Sequence, residues 1–199
     1  VAGWWNRLFR RGSGYVLPGY TEEEMAWIRA QFDEFNLAAR QAEAELRANP
    51  YHPDPSDNPA IESALRATRP EAWQRLWSAV DEVLAEEPES YGIRKFENSD
   101  GSLSMPYVVY SDAVVRMTEA LYSVGCMVRF PSMKWDVKSA YPGGLGLDTA
   151  PVADAARVVT AVLCAERFSD GTILAALNDG TLASALQRLR TWCEQQANN

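Results

Sequence analysis

Residues 147–192 read LDTAPVADAARVVTAVLCAERFSDGTILAALNDGTLASALQRLRTW, and this stretch decides the fold class. Val152, Ala155, Ala156, Val159, Val162 and Leu163 recur three and four apart, the spacing that lines one face of a helix. Thr149 is the expected N-cap. Pro151 suits the first turn, where its missing N–H has no helical acceptor in any case. The helix is expected to end near Arg167, because Ser169 can cap a fresh start and Asp170 brings negative charge to the next first turn. A second, shorter helix carries Ile173, Leu174 and Leu177. Asn178, Asp179 and Gly180 then break the pattern, and Thr181 is the expected cap of a third helix. Its stripe is Leu182, Ala185, Leu186, Leu189, Trp192 and Cys193. Three amphipathic helices joined by short turns hide these stripes by folding on one another and on the rest of the chain.

The fold class that follows is mainly α: a single-domain helical bundle with a small antiparallel β-hairpin. The expected organisation is a basic, aromatic N-terminal arm over 1–14 and one helical domain over 15–199, with 147–193 as its C-terminal subregion.

The run Thr160-Ala161-Val162-Leu163-Cys164-Ala165-Glu166-Arg167-Phe168-Ser169-Asp170-Gly171 continues into Ala175-Ala176-Leu177, Gly180-Thr181-Leu182 and Leu186-Gln187-Arg188-Leu189. It resembles the C-terminal signature of a bacterial family known as domain of unknown function 6508. Upstream, Met105-Pro106-Tyr107, Tyr122-Ser123-Val124-Gly125 and the run from Phe130 through Trp135-Asp136 are similar to that family's approach to the motif. Cys164 stands where the family carries arginine, and the second tryptophan usual after Trp135 is absent unless Tyr141 replaces it. The resemblance covers roughly the second half of the chain. It implies no activity.

With 199 residues, 47% of them hydrophobic and 11% aromatic, the chain can bury one sizeable core. A net charge of −8 argues against nucleic acid or an anionic membrane as the main partner, since phosphate recognition needs a basic footprint. Cys126, Cys164 and Cys193 have no metal-ligand spacing, and a reducing cytoplasm fits them best. No apolar run approaches the length that spans a bilayer, and the N-terminus lacks the apolar core of a secretory signal.

Residues 1–14 place Trp4, Trp5, Leu8 and Phe9 on one helical face beside Arg7, Arg10 and Arg11, with no acid among them. This arm either docks on a membrane interface or a partner's groove, or lies on the protein's own acidic body. The second reading is preferred, because a helix this short is marginal alone. Thr21 and Glu24 form a capping box for a long helix. Its seam is Met25, Ile28, Phe32, Phe35, Ala39, Ala42 and Leu46. That seam makes either a homodimer or an internal helical hairpin in a monomer, and its modest length favours the latter. The proline-rich run 49–59 is a surface connection, and His52 within it has no second histidine or cysteine pair to make a metal site.

A short helix is expected over 59–69 and a longer one over 70–86, striped with Trp73, Leu76, Trp77, Val80, Val83 and Leu84. Asn98-Ser99-Asp100-Gly101 is a hairpin turn signal between 91–95 and 103–110. Ser111 caps a helix carrying Val114, Met117, Leu121 and Val124 and closed at Gly125. A short strand is expected over 126–130 and a loop over 134–147.

No phosphate-binding glycine loop, zinc spacing or Ser-His-Asp set is present; the run Gly143-Gly144-Leu145-Gly146 lacks the strand-to-helix context and the lysine. The best polar cluster is Glu166, Arg167 and Asp170 at a helix junction, with Trp135 and Asp136 as candidates to join it through packing. As a site it offers a guanidinium fork, an aromatic wall and carboxylates for proton transfer. As structure it braces the inter-helix turn, and this reading is preferred because ion-pair networks mimic active sites. The functional expectation is a non-enzymatic protein-interaction or regulatory module needing no cofactor or metal, with another protein as partner. The alternative is a hydrolase or transferase acting on a phosphorylated or carboxylated small molecule at that corner.

Overall fold

In this computed structural model the residues described are 48–86, 92–94 and 107–197, with isolated positions between 21 and 45. The arm 1–14 and all seven seam positions from Met25 to Leu46 lie outside them. The chain divides into two compact units, residues 1–50 with 99–102 and residues 51–98 with 103–199, so the break falls inside the proline-rich run. In the first unit the described positions between 22 and 48 are helical and exposed.

The second unit carries the helices. Asn58–Arg66 (α1) enters through a proline in its first turn. Pro70–Ala85 (α2) follows, then short strands Gly92–Arg94 (β1) and Tyr107–Val109 (β2). The strands pair antiparallel over three residues, Ile93 opposite Val108. The turn expected at Asn98–Gly101 lies outside the described residues. Asp112–Ser123 (α3) is capped by Ser111, whose hydroxyl accepts from the Val114 N–H at 3.3 Å and donates to Glu86 at 2.8 Å. That second bond ties the start of α3 to the end of α2. An Arg116–Glu82 ion pair repeats the tie one turn further on. Val137–Ala140 (α4) is a single turn, and Val152–Glu166 (α5), Thr172–Asn178 (α6) and Thr181–Ala197 (α7) complete the unit.

Helix α5 is the centre. Every residue from Val152 to Leu163 except Asp154 is buried, and α1, α6 and α7 pack around it. The expectation of one buried stripe therefore understates it: Ala153, Val158 and Ala161, on the supposed outer face, are small and apolar enough to be enclosed as well. Thr160 is tolerated inside because its hydroxyl accepts from the Val128 N–H at 2.9 Å and donates to the Cys126 carbonyl at 2.8 Å. Those bonds pin 126–128 as a segment that pairs with no strand among the described residues, where a strand was expected. Burial drives the Cys126 thiol up to about 12.

Three expected caps fall elsewhere. The Thr149 hydroxyl turns back to the Gly146 carbonyl, and Pro151 is the residue that precedes α5. Ser169 does not cap α6, which starts from Gly171 in the left-handed region. Thr181 is the first residue of α7, and its N–H is held by the Asp179 carboxylate at 3.0 Å. The expected loop over 134–147 is a chain of short helical turns. In α2 Leu84 faces solvent; Trp73, Leu76, Val80 and Val83 are buried, and Trp77 stacks on Trp73 at 5.3 Å between ring centroids.

Candidate functional site

The charged corner lies where α5 ends and α6 begins. Glu166 is the last residue of α5, and both its carboxylate oxygens accept backbone N–H groups of the next helix: Oε1 from Gly171 at 3.0 Å and Oε2 from Ile173 at 2.8 Å. A helix start leaves its first N–H groups without helical acceptors. Here the preceding helix supplies the acceptor, and its negative charge meets the positive end of α6. Asp170 reaches in a third direction, accepting from the Val108 N–H of β2 at 2.7 Å. Gly171 is needed beside it. Its φ is +87°, and a Cβ there would stand 3.1 Å from the Val108 side chain.

Tyr110, at the exit of β2, leans on the same corner. Burial first, then the neighbouring Glu166 carboxylate, raises its phenol above the usual range. Glu166 and Asp170 thus knit α5, α6 and β2 together with charge-assisted hydrogen bonds. Arg167 and Phe168, between them, point outward; Phe168 is 78% exposed. Arg167 forms no ion pair among the described residues. The anticipated pairing of Arg167 with its neighbours is replaced by carboxylate bonding to backbone.

Trp135 and Asp136 do not join this corner. Asp136 caps α4, accepting from the Ser139 N–H at 3.1 Å and the Ser139 hydroxyl at 2.6 Å. Trp135 is buried against Phe130 and Tyr141, with ring centroids 5.7 and 6.1 Å away. Tyr141 in turn donates to Asp154 at 2.7 Å. Asp154 and Glu166 are twelve residues apart on α5, about 18 Å along a helix axis, so the aromatic group sits at the other end of the central helix.

That other end holds a cluster the sequence did not announce. Arg157 is 2% exposed, and its guanidinium donates to Asp154 Oδ1 at 2.7 Å, Asn58 Oδ1 at 2.7 Å and the Asp54 carbonyl at 3.0 Å. It fastens the turn 54–58 to α5. Tyr141, held by Asp154, has its phenol raised by burial and by that carboxylate. A lone arginine between stripe positions reads as solvent face. The available signal was the absence of any other charge from 155 to 165, which marks a helix enclosed all round. His52 is exposed, and among the described residues no group of three or more His, Cys, Asp or Glu side chains is placed to hold a metal.

Two clefts lie elsewhere. One, of about 520 Å³, is lined by residues from α1, the start of α2 and the end of α3; the other, of about 310 Å³, shares Ala64 and Gly125 with it and reaches Arg129. Neither touches Glu166, Arg167 or Asp170.

The fold and its corner define a helical domain, centred on one enclosed helix and braced by carboxylates at that helix's C-terminal end. The chain belongs to the family of unknown function DUF6508, whose model matches residues 68–195. The match begins upstream of the second-half motifs and takes in α2 and nearly all of α7. No curated protein and no solved structure matches the chain.

Proposed function

We propose that the protein is a non-enzymatic interaction or regulatory module that docks another protein through Arg167 and Phe168, and that it works in the cytoplasm. One observation carries the reading. Glu166 and Asp170 spend their carboxylates on the chain's own amides, and this brace holds the Arg167–Phe168 turn outward. A guanidinium and a large aromatic ring on a rigid turn are residue types that dominate protein interfaces. Proton transfer at the same corner would require a carboxylate released from those bonds, which tells against the hydrolase or transferase alternative. Among the described residues no helix is long and apolar enough to cross a membrane.

The test compares pull-downs from the native host with wild-type protein and with R167A/F168A. Loss of a specific partner with unchanged melting supports the module. Retention of every partner by the double variant sinks it. A deletion of 1–14 in the same assay assigns any membrane or partner docking by Trp4, Trp5, Arg7, Phe9, Arg10 and Arg11, and sedimentation separates monomer from homodimer.

A further inference from the structure

We infer that the larger cleft, between the end of α1, the start of α2 and the end of α3, binds a small oxyanion, a phosphate or a carboxylate carried by a small molecule. It is lined by Arg69 and Arg75, by Thr68, Tyr122 and Ser123, and by three alanines, with the Ser123 hydroxyl donating to the Glu119 carbonyl at 3.0 Å. No acidic side chain lines it, in a chain whose net charge is −8. Among the described residues, every salt bridge uses a different cation: Arg66, Arg116, Arg157 or Arg190. Arg69 and Arg75 are both exposed, and neither has a hydrogen-bond acceptor among the described residues.

Two arginines lining one concave surface, with no carboxylate beside them, concentrate positive potential where an anion can be partly shielded from water. Guanidinium forks match the planar pairs of oxygens on carboxylates and phosphates, and two of them at one site can share a single anion. The start of α2, where Arg69 offers no side-chain cap, adds partial positive charge at the same place. Thr68 holds the cleft's shape: its hydroxyl donates to the Val124 carbonyl at 3.0 Å, which anchors the end of α1 to the turn at Gly125. A volume of about 520 Å³ suits a metabolite-sized molecule rather than a polymer. This site is separate from the docking turn. Tyr122 and Ser123 end α3, whereas Tyr110 and the Glu166 corner lie beyond its start, about 18 Å away along a twelve-residue helix. Either reading can therefore fail without the other.

The test is titration of full-length protein with inorganic phosphate and, separately, with malonate, followed by ¹⁵N-resolved spectra of the arginine Nε–H groups and the backbone. Saturable shifts at Arg69, Arg75, Ser123 and Gly125 are expected with one or both anions, and which anion binds more tightly identifies the chemistry. R75Q and R69Q should each weaken that binding by roughly tenfold or more, as loss of a charged hydrogen-bond donor does. K134Q, which removes the same charge from another surface, should leave it unchanged. Binding of neither anion, shifts scattered over the surface, or equal weakening by K134Q would overturn the inference. Melting curves of the variants confirm that the fold is intact, since both arginines are exposed.

Discussion

At the scale of the single residue, Arg157 shows how far packing can override a local reading. In sequence it is one cation among nineteen basic residues, in a position that a helical wheel assigns to solvent. In the fold its guanidinium is enclosed, and three acceptors from two segments converge on it. An enclosed charge of this kind is costly to break, because its partners stay behind unpaired. R157A is expected to cost about 3–5 kcal/mol in urea unfolding. R157K should recover only part of that, since an ammonium lacks the planar fork that serves Asp154, Asn58 and the Asp54 carbonyl together. A loss under 1 kcal/mol in R157A would mean the network contributes little. Glu166 and Asp170 were legible as a polar cluster, because charged residues at a helix junction stand out. Their roles were not, because the backbone N–H groups they satisfy belong to segments whose approach depends on the whole fold.

Elements show a different balance. The helices over 58–66, 70–85, 112–123, 152–166 and 181–197 follow from apolar periodicity bounded by prolines and glycines, signals that are local and strong. Caps were less legible: Glu166 takes the first N–H groups at the start of α6 and Asp179 takes the Thr181 N–H, while α5 begins with no side-chain cap at all. The purpose of the glycine run 143–146 appears only in three dimensions. Gly144 is buried with φ +79°; a Cβ there would overlap the Ser184 side chain and stand 3.0 Å from the Gly180 carbonyl, so the turn lies directly on the start of α7. Gly146 has φ +87° and open space around its Cβ position. The pair separates backbone strain from crowding. G146A should cost only the left-handed term of about 1–2 kcal/mol. G144A should cost that plus overpacking of about 1–3 kcal/mol. Equal denaturation midpoints for the two variants would show that the close contact with α7 is not maintained in solution.

For the molecule as a whole, four described side chains whose protons folding retains should make stability fall in alkali. Tyr110, Tyr141, Cys126 and Cys193 are all raised, in each case chiefly by burial. The unfolded chain releases these protons near pH 9.0 for the thiols and 10.0 for the phenols, while the folded chain keeps them. Between those values and the raised ones the native state binds more protons than the unfolded state, so stability falls as pH rises. Below pH 9 this contribution is fully present. Tyr141 provides the control, because its proton is held between burial and the Asp154 carboxylate at the aromatic end of α5. Y141F should lose stability at neutral pH, where the bond to Asp154 is missing. Above pH 10 its stability should decline with a slope shallower by up to one proton, so that the two curves converge. Parallel curves for wild type and Y141F from pH 8 to 11 would show that this phenol titrates alike in both states, and that the hydrogen bond to Asp154 does not hold its proton.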